Sequence, residues 1–270
     1  MRVLLQESEY FEQGGMFHGL VPDILGSKLD LIITGASREG SESLWKGFCD
    51  YCRQMDAILN WNDPESEVGK FNAGKMLAHS SVSDELGEAV DLCKEYRSIT
   101  GGLFDAALGK MNYVDHDEED GSLSVYGAKL DFGSFARGYL LRGCRRMLEE
   151  AGIGCAFANY GNHSFLAVGS HPYGDAWRVG LTNPFTRMPL EEISLKDCAM
   201  ALSCNAPGAT GHVIDPRNGR PVEDKKMTVV TAPDILDAKV MATAAMIAGP
   251  AETERLKEAF PEAELQIYNL

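Results

Sequence analysis

The chain has 270 residues, enough for one large domain or two intimate lobes around a hydrophobic core. Its formal net charge of -15 argues against a nucleic-acid surface, which needs a basic footprint, and no window approaches the ~18 apolar residues of a membrane span. The opening MRVLLQESEYFEQGG has too short an apolar stretch for a signal peptide, so the sequence as it stands reads as cytoplasmic, or as periplasmic or lipid-anchored if a signal has been removed.

In chain order, a glycine-rich approach leads into an expected first strand, KLDLIIT at Lys28–Thr34. Leu44, Phe48, Tyr51, Met55, Ile58 and Leu59 recur at steps of three and four, which predicts a helix over Glu42–Leu59. The loop signal NWNDP ends it. A second helix is expected over Asp84–Tyr96, and the acidic run Asp115–Gly121 reads as a solvated loop. Leu130–Gly133 feeds a helix that continues to about Glu150. Cys155–Asn159 and Phe165–Val168 bracket the turn YGNH as hairpin strands, and Ala176–Leu181 is a further strand. Asp197–Ser203 and Gly211–Ile214 flank the loop CNAPGAT, and DPRNG makes a turn. Met227–Thr231 is a strand, Ile235–Ile247 a helix stopped by Gly249–Pro250, Glu252–Ala259 a short helix and Glu264–Tyr268 a last strand. Hairpins mixed with helices indicate an α+β fold rather than a regular parallel-sheet unit.

Seven cysteines at loose spacing do not make a disulfide scaffold in a chain this long. Cys49 and Cys52 are formally C-x-x-C, but they lie within the first expected helix, so the spacing reflects one turn.

Several segments combine glycines with polar groups. In LDFGSFARGY, from Leu130 to Tyr139, a strand turns through Gly133 into a helix that carries Ser134, Ala136 and Arg137. Free N–H groups at such a helix start bind phosphate oxygens, and arginine adds charge-assisted bonds. A helix start with a surface arginine fits the same residues. Ser66, Glu67 and Asn72 offer hydrogen bonds to a polar ligand, or are solvated loop residues. Asp105 follows Leu103 and Phe104, so its carboxylate is expected to be partly buried and paired. His212 suits either a ligand phosphate or a satisfied buried ring. Asp215 precedes a proline and is first of all a turn residue.

Taken together and in order, these segments resemble the ApbE-like FAD:protein FMN transferase family, from about His18 to Gly249. The likeness is carried by Ser66-Glu67-Val68-Gly69-Lys70-Phe71-Asn72, Gly102-Leu103-Phe104-Asp105, LDFGSFARGY, the stretch from Asn159 to His163, HVIDPRNGRP from His212, and the helix from Ala238 through Thr243 to Gly249. The resemblance implies two intimate mixed α/β lobes with a ligand cleft between them. Residues 18–249 would form the transferase domain, and 250–270 a helix and strand completing it. It implies FAD as substrate or ligand, magnesium beside the pyrophosphate, and a flavoprotein acceptor subunit whose Ser or Thr hydroxyl receives FMN as AMP leaves. His212, Arg137 and Asp215 would take the catalytic positions. Ser66, Glu67, Asn72, Asp105, Gly133, Ser134, Arg137, Asn159, His212 and Lys239 would line the FAD site. Thr243 and the Ala136 carbonyl region would face the metal.

Some positions depart from the pattern. Aligned on Thr243 and Gly249, the family's metal-ligand aspartate falls on Lys239. An ammonium cannot ligate a metal, so magnesium is not expected to bind in the usual way. Asp237 is two residues away, about 200° around the helix, on the opposite side. The family's glycine–aspartate becomes Asn162–His163, and its lysine becomes Arg137. FAD binding without transfer, and FAD pyrophosphatase activity, are the alternatives.

Overall fold

The computed structural model describes residues 6–74, 80–206 and 213–270. The strands, in chain order, are β1 (Glu7–Phe11), β2 (Met16–Ile24), β3 (Ser27–Thr34), β4 (Ser80–Ser81), β5 (Val114–Asp117), β6 (Ser122–Val125), β7 (Ala156–Tyr160), β8 (Ser164–Val168), β9 (Trp177–Thr182), β10 (Pro189–Leu195), β11 (Ala199–Cys204), β12 (Ile214–Asp215), β13 (Arg220–Pro221), β14 (Lys226–Ala232) and β15 (Glu264–Asn269). The helices are α1 (Arg38–Leu59), α2 (Glu67–Asn72), α3 (Asp84–Ile99), α4 (Gly133–Glu150), α5 (Ile235–Ile247) and α6 (Pro250–Ala259).

Eight strands form one antiparallel sheet in the order β1-β2-β3-β7-β8-β11-β14-β15. Helices α1, α4 and α5 pack against one face and bury the larger core. The β9–β10 hairpin covers part of the other face, where Phe165, Trp177, Leu195, Met200 and Val229 form a second core. The smaller lobe contains α2, α3 and a three-stranded sheet, β4-β6-β5. A chain of contacting rings, Tyr96, Phe104, Phe135 and Phe132, joins this lobe to the start of α4. The fold is therefore α+β with two lobes, as the mixture of hairpins and helices indicates.

Most expected elements are present with shifted ends. α1 begins four residues early because Ser37 accepts a hydrogen bond from the Gly40 amide and caps it. The glycine-rich approach is in fact a strand pair. β2 alternates Phe17, Gly19 and Val21 toward the core, and Gly19 leaves room for the Trp45 ring, which would lie 2.6 Å from an added Cβ. The start of the acidic run is also a strand: Asp115–Asp117 pair with Ser122–Ser124 while their charges face outward or find partners such as Lys94. β10 has no matching expectation, because only its last residues, Ile193 and Leu195, alternate into the core.

Cys49 and Cys52 are buried within α1, and burial raises both thiols, Cys49 to about 12. The pair is part of the core, where a raised thiol makes a poor nucleophile.

Candidate active site

A cavity of about 550 Å³ opens where the two lobes meet. One wall is the loop from Leu103 to Leu108, with Trp61 at the rim. The floor is Asp131–Ser134 and Arg137 at the start of α4, with Lys239 and Thr243 from α5. The opposite wall is His163, Leu202–Cys204 and the segment around Val213 and Pro216. Two larger hollows, of 810 and 850 Å³, lie elsewhere and contain none of the α4 or α5 residues just named. Convergence of six motif positions in the smaller cavity (Asp105, Gly133, Ser134, Arg137, Lys239 and Thr243) marks it as the candidate site.

Local chemistry fixes the floor. Asn72 brackets Leu130, donating to its carbonyl at 2.7 Å and accepting from its amide at 2.8 Å. The Asp131 amide bonds the Ala106 carbonyl at 2.7 Å. These bonds hold LDFG between the lobes and aim the first turn of α4 at the cavity. That helix starts without a side-chain cap from Phe132 and without an acidic residue in its first turn. Asp131 sits just before it, takes the Gly133 N–H and lies in the field of Arg137, yet burial is the largest influence and raises its carboxyl. Gly138 lets α4 and α5 approach: an added Cβ would lie 3.1 Å from Cγ of Lys239.

Lys239 is the unusual group. It is 4% exposed, and burial first, then the charge of Arg137, lowers its ammonium to about 7. Among the described residues its ammonium has no hydrogen-bond or ion-pair partner. Arg137 forms no ion pair among them either, and its buried Nε has no hydrogen-bond partner. Ser134 and Thr243 hydroxyls lie 3.3 Å apart, and Thr243 donates to the Lys239 carbonyl at 3.0 Å. The cavity therefore gathers two cations and two hydroxyls at the start of α4, where Asp131 already takes the Gly133 N–H.

Several positions read as ligand contacts are engaged in the fold. Ser66 caps α2, accepting from the Gly69 amide and donating to the Asn60 carbonyl. Glu67 accepts from the amide and hydroxyl of Ser83, tying α2 to the cap of α3. Asn72 holds Leu130, and Asn159 exchanges hydrogen bonds with Asn162 across the hairpin turn. Asp105 lines the cavity, but its side chain is 1% exposed and bonds Arg97 at 2.9 Å and the Ala107 amide at 2.7 Å. Asp215 turns away to Arg217, whose bonds hold its carboxyl below the ordinary carboxylate range. Arg217 passes the link on to Glu252 of α6. Ala136 is a buried core residue of α4. His212 lies outside the described residues.

Asp131, Trp61 and His163 are cavity residues not chosen as contacts from the sequence. Asp131 adjoins Gly133 in a motif already singled out, and an exposed tryptophan in the loop NWNDP was the available signal for Trp61. Ser203 and Cys204 also face the cavity, but burial raises the Cys204 thiol, which argues against a nucleophile there.

Among the described residues, the donor set does not suit a divalent cation. Among the described residues no three His, Cys, Asp or Glu side chains gather as a metal site. Lys239 and Arg137 would repel a cation, and Asp105 is committed to Arg97. Asp237 faces the other flank of α5, where Tyr96 donates to it at 2.8 Å.

Residues 25–119 and 110–267 match the ApbE family, and the chain belongs to that family. Similar curated proteins include the FAD:protein FMN transferase of Treponema pallidum, 28% identical over 77% of this chain and 72% of the relative. The FAD:protein FMN transferase of Escherichia coli K12 is 26% identical over 79% and 72% respectively. Among solved structures, the ApbE protein of Thermotoga maritima superposes with a TM-score of 0.79 at 19% identity, covering 93% of this chain and 94% of its own. The flavin transferase ApbE from Vibrio cholerae gives 0.79 at 18% identity, with 94% and 93% covered.

Proposed function

We propose that the protein binds FAD in the 550 Å³ cavity and transfers FMN from it to a Ser or Thr hydroxyl of an acceptor protein. Family membership supports flavin-transfer chemistry, and the paired cations Arg137 and Lys239 support the placing of the diphosphate. In this reading the acceptor oxygen attacks the phosphorus on the riboflavin side. A new P–O bond forms, the bond to the bridging oxygen breaks, the hydroxyl proton leaves, and AMP departs with the electron pair. Arg137 and Lys239 offset charge on the phosphate oxygens as the bridge breaks. Trp61, Phe104 and Leu108 give an aromatic ring or apolar surface at the cavity wall. No step is routed through a metal, because the donor set does not fit one.

The observation carrying this reading is the convergence of the family motif positions on one cavity that also holds Lys239 and Arg137, whose buried Nε has no hydrogen-bond partner. The test is a mass-resolved assay with FAD and an acceptor peptide or flavoprotein subunit bearing the Ser/Thr motif. Gain of one FMN by the acceptor, with equimolar AMP, is expected. Lys239 also favours a second reading, FAD binding without transfer, since a single fixed charge is a weaker Lewis-acid substitute than a divalent ion. Bound FAD recovered intact with several authentic acceptors would select it.

A further inference from the structure

We propose that Lys239 and Arg137 form a metal-free seat for the diphosphate of a nucleotide ester, with the Lys239 ammonium standing in for a divalent cation. This rests on the reading of the cavity as a flavin-nucleotide site, and specifies how that site neutralises its ligand.

Three observations carry it. The first is Lys239 on α5, 4% exposed as a whole residue, which lines the cavity and forms no ion pair among the described residues. The second is the Arg137 guanidinium on the facing helix α4, with a buried Nε that has no hydrogen-bond partner. The third is the first turn of α4, whose Gly133 N–H is taken by Asp131 and whose Gly133 and Ser134 line the same cavity. Two like charges brought together at a half-buried cavity repel each other, and an anion bound between them relieves that repulsion. A diphosphate diester carries two negative charges at neutral pH, which the Arg137 guanidinium and a Lys239 ammonium that holds its proton beside the anion would offset. The Ser134 and Thr243 hydroxyls, 3.3 Å apart, add donors beside them.

The same residues argue against sharing the site with a metal. A cation in the cavity would share it with the Lys239 ammonium and the Arg137 guanidinium. Of the nearby carboxylates, Asp105 is bonded to Arg97, Asp131 takes the Gly133 N–H, and Asp237 is on the far flank with Tyr96.

Calorimetric titration of the full chain with ADP, FAD and riboflavin, in EDTA and in millimolar magnesium, separates the outcomes. ADP and FAD are expected to bind in EDTA at least as tightly as in magnesium. Lys239→Met should weaken both by about 10- to 100-fold, the worth of a charge-assisted bond, and leave riboflavin unchanged. Arg137→Gln should do the same, and thermal melts confirm that each variant is folded. Lys239→Asp should make nucleotide binding depend on magnesium. Binding of ADP and FAD only in magnesium, or unchanged affinity in folded Lys239→Met, overturns the metal-free seat while leaving the flavin-nucleotide cavity in place. Absence of ADP and FAD binding in both conditions overturns both.

Discussion

Replacing Lys239 by methionine keeps a long flexible stem and removes its charge, so the ligand-free protein should become more stable. The ammonium falls from 10.5 in an ordinary lysine to about 7, chiefly through burial. At ~1.4 kcal/mol per pK unit, a shift of this size disfavours the charged form by roughly 5 kcal/mol. Below pH 7 both native and unfolded chains hold the proton, and the fold carries the whole penalty. Between pH 7 and 10.5 the unfolded chain binds more protons than the native one, so wild-type stability rises with pH. Above that window the penalty is gone. The charge acting on Lys239 from the packed helix is that of Arg137 on α4, which lowers the ammonium further. Urea unfolding followed by tryptophan fluorescence from pH 6 to 10 is the assay. Lys239→Met should exceed wild type by about 2–4 kcal/mol at pH 6, allowing for water reaching the ammonium through the cavity, and the advantage should vanish near pH 10. A less stable variant at pH 6, or a difference that does not change with pH, would show that the ammonium has a partner in the folded protein and would refute the reasoning.

Arg97→Ala leaves the Asp105 carboxylate buried and without its cation, and should cost about 2–4 kcal/mol in chemical denaturation, whereas the double change Arg97→Ala with Asp105→Asn should recover part of it. Gly109→Ala should be among the most damaging single-methyl additions: φ is +86° and the new Cβ would lie 2.2 Å from the Pro216 carbonyl oxygen. A loss of at least ~2 kcal/mol, read as a lower melting temperature, is expected. Iodoacetamide at pH 7.5 should leave Cys49, Cys52, Cys93 and Cys144 unlabelled in the native protein, since all four are buried and burial raises each thiol; mass spectrometry of labelled peptides checks this.

Where a run of small and apolar residues ends at a stop signal, the sequence already contains the element. α5 runs from Ile235 to Ile247 as expected, begun by the Asp234 cap and stopped before Gly249–Pro250. β1 escaped notice because its residues are largely exposed, and β10 because most of it is. A strand that buries little leaves little alternation to read. The cavity was legible in part. Arg137, Lys239, Ser134 and Thr243 come together because their motifs sit on α4 and α5, whose facing sides meet. Ser66, Glu67, Asn72 and Asn159 were equally polar in the sequence, yet their hydrogen bonds fasten turns and helix caps. A residue type gives hydrogen-bonding capacity; only the packed chain decides the partner. Lys239 shows the reverse case. Its place on α5 followed from the family resemblance anchored on Thr243 and Gly249, but its burial depended on α4 lying across it.

The most direct measurement is a crystal structure of the protein with FAD, grown in EDTA. The account predicts the diphosphate in the cavity at the start of α4, its oxygens within about 3 Å of Lys239 Nζ and the Arg137 guanidinium, with no metal between them. A diphosphate held by a metal ion, or FAD seated in the hollow lined by Tyr51, Arg142 and Arg145, would contradict it.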